Sequence, residues 1–305
     1  MIPLIFDYRQ AVKLRSTYAV ALPEAADEGG RVHTCFRQTG TATGRLSSAE
    51  PNLQNIPVRT SLGREFRKFF IAPEGKRLVD ADYSQIELRV LAALSGDENM
   101  TAAFLSAVDI HTVTASQVFR LTPEQVSPEL RSRAKAVNFG IVYGISDFSL
   151  SQDIHVSKKQ AGEYIRAYEE TYRGITAYLK KTVEEAKESG YSTTAFGRRR
   201  IIPELRSGKA MLRAFGERVA RNSPIQGTAA DLIKIAMLRV DNRLRAEGLA
   251  AKLILQIHDE LIVEAPGREA EQAKEILVRE MQRAETLSVP LSVEAGIGKS
   301  WAEAH

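Results

Sequence analysis

Cysteine is almost missing from this 305-residue chain, with Cys35 alone. An intrachain disulfide is therefore excluded, and a metal site built from several cysteines with it. No apolar run approaches the ~20 residues of a membrane-spanning helix, and no secretory leader is visible, so the expected location is the cytoplasm. Internal repeats and low-complexity tracts are absent too. Neither sign of charge prevails: 42 Lys and Arg stand against 38 Asp and Glu, a net +4 with a pI near 9.1. That slight excess suits a polyanionic partner without requiring one. What is present is ordinary globular material, 44% hydrophobic and 26% charged, long enough for a large core in two or three subdomains.

Along the chain, Ile2-Pro3-Leu4-Ile5-Phe6 opens a helix expected through Tyr18, with little nearby sequence to pack against, as in the tail of an upstream domain. Residues 23–75 are rich in Thr, Ser, Gly, Pro and Asn, with strand-like pieces such as Arg31-Val32-His33-Thr34. Leu78–Asp82 reads as a buried strand and 84–95 as the helix after it. Helical sequence dominates from about 100 to 190, ending at Gly190 as a C-cap. A hairpin is expected over 191–203 with its turn near Gly197. Residues 227–247 form an amphipathic helix, 252–264 a strand, tight turn and strand, and 268–285 a last helix. The alternating run Val289–Glu294 reads as a closing strand before a polar tail, a natural end. Strands flanking a helical insertion make an α+β pattern.

Two acidic clusters stand at expected strand edges: Asp82 after an apolar strand, and Asp259-Glu260 between two. Paired carboxylates facing a cleft can bridge two divalent ions, and magnesium suits a site with few carboxylates. Aspartates equally favour turns and caps, which is the plainer reading of each cluster alone. Arg131, Lys135, Phe139 and Tyr143 recur every four residues on a helix expected over 131–144. Each step rises ~6 Å, so the four span ~18 Å, about a nucleotide from γ-phosphate to base. Cations for phosphate and rings for stacking would then occupy opposite ends. The alternative is a solvated basic turn followed by a buried aromatic face. Eight basic residues crowd 198–221 against only Glu204 and Glu217, a density that fits a phosphate backbone or merely a solvated face. Asn222 and Gln226 could read a groove edge; with Pro224 marking a boundary, they are equally a helix cap and a surface residue.

At these residues the chain resembles the family A DNA polymerases. Asp82-Tyr83-Ser84-Gln85-Ile86-Glu87-Leu88-Arg89 looks like the first polymerase motif of that family. Arg131-x3-Lys135-x3-Phe139-Gly140-x2-Tyr143-Gly144 looks like the second, and His258-Asp259-Glu260 like the third. Thr43–Ser48, Pro51–Pro57 and Gln226–Asp231 match further stretches, and the resemblance runs from about residue 8 to His305.

The resemblance implies an antiparallel-sheet palm with an inserted helical fingers subdomain and a thumb largely absent. Residues 1–22 would be a thumb-helix remnant, 23–89 the first part of the palm, 90–212 the fingers, and 213–305 the second part of the palm with the His258–Glu260 hairpin. It implies a template-directed DNA polymerase fragment, without the exonuclease-like domain, that adds a dNTP to a primer 3′-hydroxyl. Asp82, Asp259 and the Tyr83 carbonyl would hold two Mg²⁺ ions, with Mn²⁺ able to replace them. Glu260 would sit beside them near the primer terminus. Arg131 and Lys135 would grip the triphosphate, helped by Gln85 and His111, and Lys135 would also protonate the leaving pyrophosphate. Phe139 would pack on the sugar and Tyr143 stand near the templating base. Glu87 would fill the place of a ribose 2′-hydroxyl, and Phe at 139 implies poor use of dideoxynucleotides. Arg45, Gln54, Asn55, Arg218, Asn222, Gln226 and His258 would contact DNA. The implied partners are primer-template DNA and dNTPs, with no membrane, and the implied state is a monomer. A binding-only module, an RNA-making relative and a metal-dependent nuclease are the other readings. Glu87 argues against the second, and the Arg/Lys helix has no task in the third.

Overall fold

An eight-residue run of alternating character, Lys76–Tyr83, forms the strand on which the larger sheet is built. The structure, a computed structural model, describes residues 2–57, 61–106 and 108–305. Met1, residues 58–60 and Ala107, which fall in the expected thumb, palm and fingers segments, lie outside the described residues.

The strands are β1 (Cys35–Arg37), β2 (Ser47–Ala49), β3 (Lys76–Tyr83), β4 (Tyr191–Thr193), β5 (Arg199–Ile201), β6 (Lys252–Ile257), β7 (Glu260–Pro266) and β8 (Val293–Gly298). The helices are α1 (Ile2–Leu14), α2 (Ala21–Glu24), α3 (Ser61–Glu65), α4 (Ile86–Ser95), α5 (Glu98–Leu105), α6 (Ile110–Phe119), α7 (Pro128–Val142) and α8 (Asp147–Asp153). They continue with α9 (Lys158–Thr171), α10 (Arg173–Ser189), α11 (Ala210–Ala246), α12 (Ala270–Gln282) and α13 (Trp301–Ala304). The chain divides into two units. A sheet unit gathers residues 1–84, 233–284 and 293–305; a helical unit holds 85–232 and 285–292.

In the sheet unit the strands run β6-β7-β3-β8, every pair antiparallel. Alternation assigns the faces of β3. Val79, Ala81 and Tyr83 point to one face, where α12 packs and the Tyr83 hydroxyl donates to the Met281 carbonyl at 2.7 Å. Leu78, Asp80 and Asp82 point to the other, where α13 lies. Leu78, Ile262, Leu255, Phe66, Tyr18 and Trp301 form the core on that side. Burial of both faces explains why β3 from Leu78 onward is apolar apart from its carboxylates.

The helical unit is set by local signals. Asp97, Asp109, Ser127 and Ser157 cap α5, α6, α7 and α9 by accepting backbone N–H groups. Gly190 closes α10 in the left-handed region. Asp97 also accepts from the Gly174 N–H at the start of α10.

Several sequence expectations are corrected. Arg31–Thr34 is not a strand; only Val32 bridges to Ala26, and the strand begins at Cys35. The closing strand starts at Val293, beyond most of the alternating run, because Glu285–Ser292 belongs to the helical unit, where Pro290 accepts from Arg89. Most consequentially, Pro224 starts no helix. It lies inside the 37-residue α11. Proline removes one N–H from a helix interior; the Ser223 hydroxyl beside it donates to the Val219 carbonyl at 2.7 Å.

Candidate active site

The sheet unit brings two predicted carboxylates together. Asp82, one residue from the end of β3, pairs across the sheet with Glu260, the first residue of β7. His258 and Asp259 form the two-residue turn between β6 and β7, with Ile257 opposite Glu260. The Tyr83 N–H donates to the Asp259 carbonyl at 3.1 Å, which ties the turn to the end of β3. His258 holds a left-handed backbone (φ 51°), as does Gln85 (φ 51°), the residue before α4. Non-glycine residues in that region carry strain, and each here lies within three residues of a candidate carboxylate.

Burial and then Asp80 push the Asp82 carboxyl up to about 6, with Glu294 adding to it and His305 and Arg67 pulling back. Asp259 Oδ1 lies 4.0 Å from Arg45 Nη2. A carboxylate burdened by burial and by like charge is relieved by a cation, and hard oxygen donors such as these suit magnesium. The residues therefore fit a divalent metal.

Glu260 is placed differently from its neighbour Asp259. It is 4% exposed. Its Oε1 accepts from the Trp301 indole and its Oε2 faces Arg67 Nη2 at 3.4 Å. Burial and then Asp80 push its carboxyl upward. Asp80, Glu260 and His305 bring ligand-type atoms within 4.8 Å of one another. The Arg67 guanidinium and the indole N–H already engage both Glu260 oxygens, so this cluster has its counter-charge.

In the helical unit, α7 carries the second predicted set. Arg131, Lys135 and Phe139 form a stripe of exposed or half-exposed residues, with Tyr143 just beyond the last turn. The opposite side, Ala134, Val137, Asn138 and Ile141, is buried. Arg131 is engaged by a two-pronged ion pair with Asp109, 2.8 Å on each prong. Burial would raise Asp109, but the Arg131 and Thr112 hydrogen bonds outweigh it and hold the acid at about 2. Among the described residues no ion pair involves Lys135. His111 is 2% exposed, and burial drives it down to about 4, so its ring is neutral near pH 7. Asn138 Nδ2 meets its Nδ1 at 3.1 Å, and Phe139 lies 5.9 Å from the ring. The Tyr143 hydroxyl donates to the buried Glu87 carboxylate at 2.6 Å.

The predicted DNA contacts fall into two groups. In the helical unit the unbroken α11 sets Arg218, Asn222 and Gln226 four residues apart on one stripe, which the expected break at Pro224 would have prevented. Arg218 packs on Phe215, and Arg198 of the β4–β5 hairpin is held by Asp231. In the sheet unit, His258 is exposed on its turn and Arg45 stands by Asp259. Gln54 is bound inward, donating to the Gln256 carbonyl and side chain and accepting from the Ser48 N–H; the Asn55 carbonyl accepts from Tyr18.

Four residues absent from the sequence reading shape these sites: Asp80, Asp109, Trp301 and His305. Only Asp80 carried a signal, standing two before Asp82 and hence on the same face of one strand.

The comparisons with known proteins agree with one another. The family model of DNA polymerase family A matches residues 1–303. DNA polymerase I of Caldicellulosiruptor bescii is 51% identical over 304 residues, which covers 99% of this chain and 36% of that protein. DNA polymerase I of Pseudomonas aeruginosa is 48% identical over 303 residues, 99% of this chain and 33% of its own. Among solved structures, the POL domain of Pol1 from M. smegmatis, in complex with DNA primer-template and dNTP, superposes with a TM-score of 0.93 at 43% identity. That match covers 97% of this chain and 52% of the solved one. A mixed fold of helices and antiparallel sheet ending in paired carboxylates defines the class, and the chain belongs to DNA polymerase family A. It spans about a third of the length of the curated relatives it matches.

Proposed function

We propose that this chain catalyses template-directed DNA synthesis, joining a dNTP to the 3′-hydroxyl of a primer on template DNA. The observation that carries the reading is the meeting of Asp82 and Asp259 at adjoining strand ends, secured by the Tyr83-to-Asp259 backbone hydrogen bond. The relatives' names and the primer-template complex of the M. smegmatis domain support the substrate class. Residues 23–89 and 213–305 serve as palm, 90–212 as fingers and 1–22 as a thumb remnant; the protein acts as a cytoplasmic monomer.

Asp82, Asp259 and the Tyr83 carbonyl would hold two magnesium ions. Bound there, these ions would lower the pKa of the primer hydroxyl and offset charge on the leaving pyrophosphate. Glu260 borders this pair from its buried position. Lys135 and Arg131 bind the triphosphate, Arg131 by exchanging Asp109 for phosphate oxygens. Lys135 then donates a proton to the pyrophosphate. His111, neutral, offers the N–H of its Nε2 to phosphate, and Gln85 assists. Phe139 packs on the sugar. Glu87, held by the Tyr143 hydroxyl, fills the space a ribose 2′-hydroxyl would need, and Tyr143 stands near the templating base. Arg45, Gln54, Asn55 and His258 on the sheet unit, and Arg218, Asn222 and Gln226 on α11, contact the duplex.

Single-nucleotide primer extension with Mg²⁺, comparing this chain with Asp259→Ala, tests the reading. Extension should vanish in the variant. A wild-type chain that binds primer-template but never extends it would replace polymerisation with binding alone.

A further inference from the structure

Glu260 is a buried carboxylate whose two oxygens both meet polar groups. The short helix α13 lies on the sheet because β8 carries glycines where it passes: a Cβ on Gly296 would collide with the Ala304 carbonyl, and one on Gly298 would meet Glu303 and Ala304. This close approach sets Trp301 and His305 over Asp80 and Glu260. The Trp301 indole N–H reaches Glu260 Oε1 at 2.5 Å. Arg67 Nη2 reaches Oε2 at 3.4 Å, with its guanidinium stacked 4.1 Å from the centre of the Trp301 ring. His305 Nδ1 sits 3.0 Å from Asp80 Oδ2 and 3.8 Å from Glu260 Oε1.

Stability alone does not explain this cage. Asp80 Oδ1, Arg67 Nε and Arg67 Nη1 are buried without a hydrogen-bond partner. Replacing a buried charge network by apolar side chains of similar volume is often neutral or stabilising. A core selected for stability would thus not keep so many ionic groups incompletely satisfied. What the cage does achieve is geometric. It fixes the side chain directly across from Asp82 and next to Asp259.

We propose that Trp301 and His305 are positioning residues for the nucleotidyl-transfer site: Trp301 holds Glu260 directly, and His305 holds it through Asp80. The proposal rests on the polymerase reading above. Glu260 then works from one fixed place rather than swinging out as a metal ligand.

Trp301 is the chain's one tryptophan, so its indole N–H gives a single, unambiguous NMR resonance. Trp301→Phe keeps a ring and removes the donor; His305→Ala empties the second contact, and His305→Gln restores a hydrogen-bonding group at a half-exposed site. Losing one hydrogen bond to a buried charge should lower kcat by on the order of ten- to a hundredfold in Trp301→Phe, with KM for dNTP unchanged. His305→Ala should lower kcat and shift the indole resonance, and His305→Gln should recover both. A merely structural role would lower thermal stability but leave kcat of the folded enzyme alone. Full kcat in both Trp301→Phe and His305→Ala, in a chain whose Asp259→Ala variant is inactive, overturns the proposal and leaves the polymerase reading standing. An indole resonance unmoved by His305→Ala overturns it as well. A wild-type chain that never extends a primer overturns both.

Discussion

Asp82 carries its proton to higher pH in the folded protein than in the unfolded chain, because burial and Asp80 oppose its charge. For an acid raised in this way, the contribution to stability is present below its unfolded pKa of about 4 and is lost as pH rises through about 6. Without metal, Asp82→Asn should therefore raise the thermal midpoint at pH 7.5 by about 2–4 °C, with the gain shrinking toward pH 5. Calorimetry in chelator measures this. Added Mg²⁺ should stabilise the wild type and not the variant. Extension at limiting Mg²⁺ should fall as pH drops through about 6, and the fall should move to lower pH as Mg²⁺ is raised, because proton and metal compete for one carboxylate. Asp109 yields a second prediction. It neutralises Arg131 through two short hydrogen bonds, so under the proposed function a triphosphate would have to displace it. Asp109→Asn keeps the shape and weakens the competitor, and should lower the dNTP KM about threefold or more in steady-state extension. Neither Asp109 nor the Glu260 cage was legible in the sequence. Each depends on which side chains meet across the fold, and no local spacing encodes that. The placing of Asp82 and Asp259 at strand edges was legible, because an apolar strand running into a carboxylate is a local pattern, but that pattern alone did not set them apart from turn residues.

The hairpin of β4 and β5 is tied to α11 by side chains rather than by a shared sheet. Asp231 accepts from the Thr194 hydroxyl and takes two hydrogen bonds from Arg198, and Thr228 accepts from the Ala195 N–H. Asp231 is buried. Asp231→Ala would strand these donors and should cost about 3 kcal/mol in denaturant unfolding. Faster hydrogen exchange at the Phe196 and Arg198 amides should accompany it. The basic run 198–221 thus reads differently in structure: Arg198, Arg200 and Arg213 have internal partners. Hairpin, turn and α12 were legible because glycine, turn residues and helical spacing act locally. The continuity of α11 through Pro224 was not, because a proline's cost is outweighed by packing that only the folded chain reveals: Ile225, Ala229 and Leu232 are almost wholly buried.

Taken entire, the chain is mildly basic, and the residues proposed to touch DNA include Arg45, Arg218 and His258. Phosphate contacts make affinity depend on salt. Raising salt from about 50 to about 200 mM should weaken primer-template binding tenfold or more, measured by fluorescence anisotropy, while Asp259→Ala should bind as the wild type does. No helix of the described residues is long and apolar enough to cross a membrane.

The strand that bears Asp82 lies between β7 and β8, and both are drawn from much later sequence. On the ribosome, at ~5–20 residues per second, β3, complete at Tyr83, must wait until β7, from Glu260, has emerged before it has a neighbour. The helical unit, largely contiguous, can fold during that wait. The two carboxylates are thus brought side by side only after β7 is made, and the cage around Glu260 only after α13. A nascent chain halted before Val293 would hold a sheet with one edge of β3 open, a template for pairing with another chain.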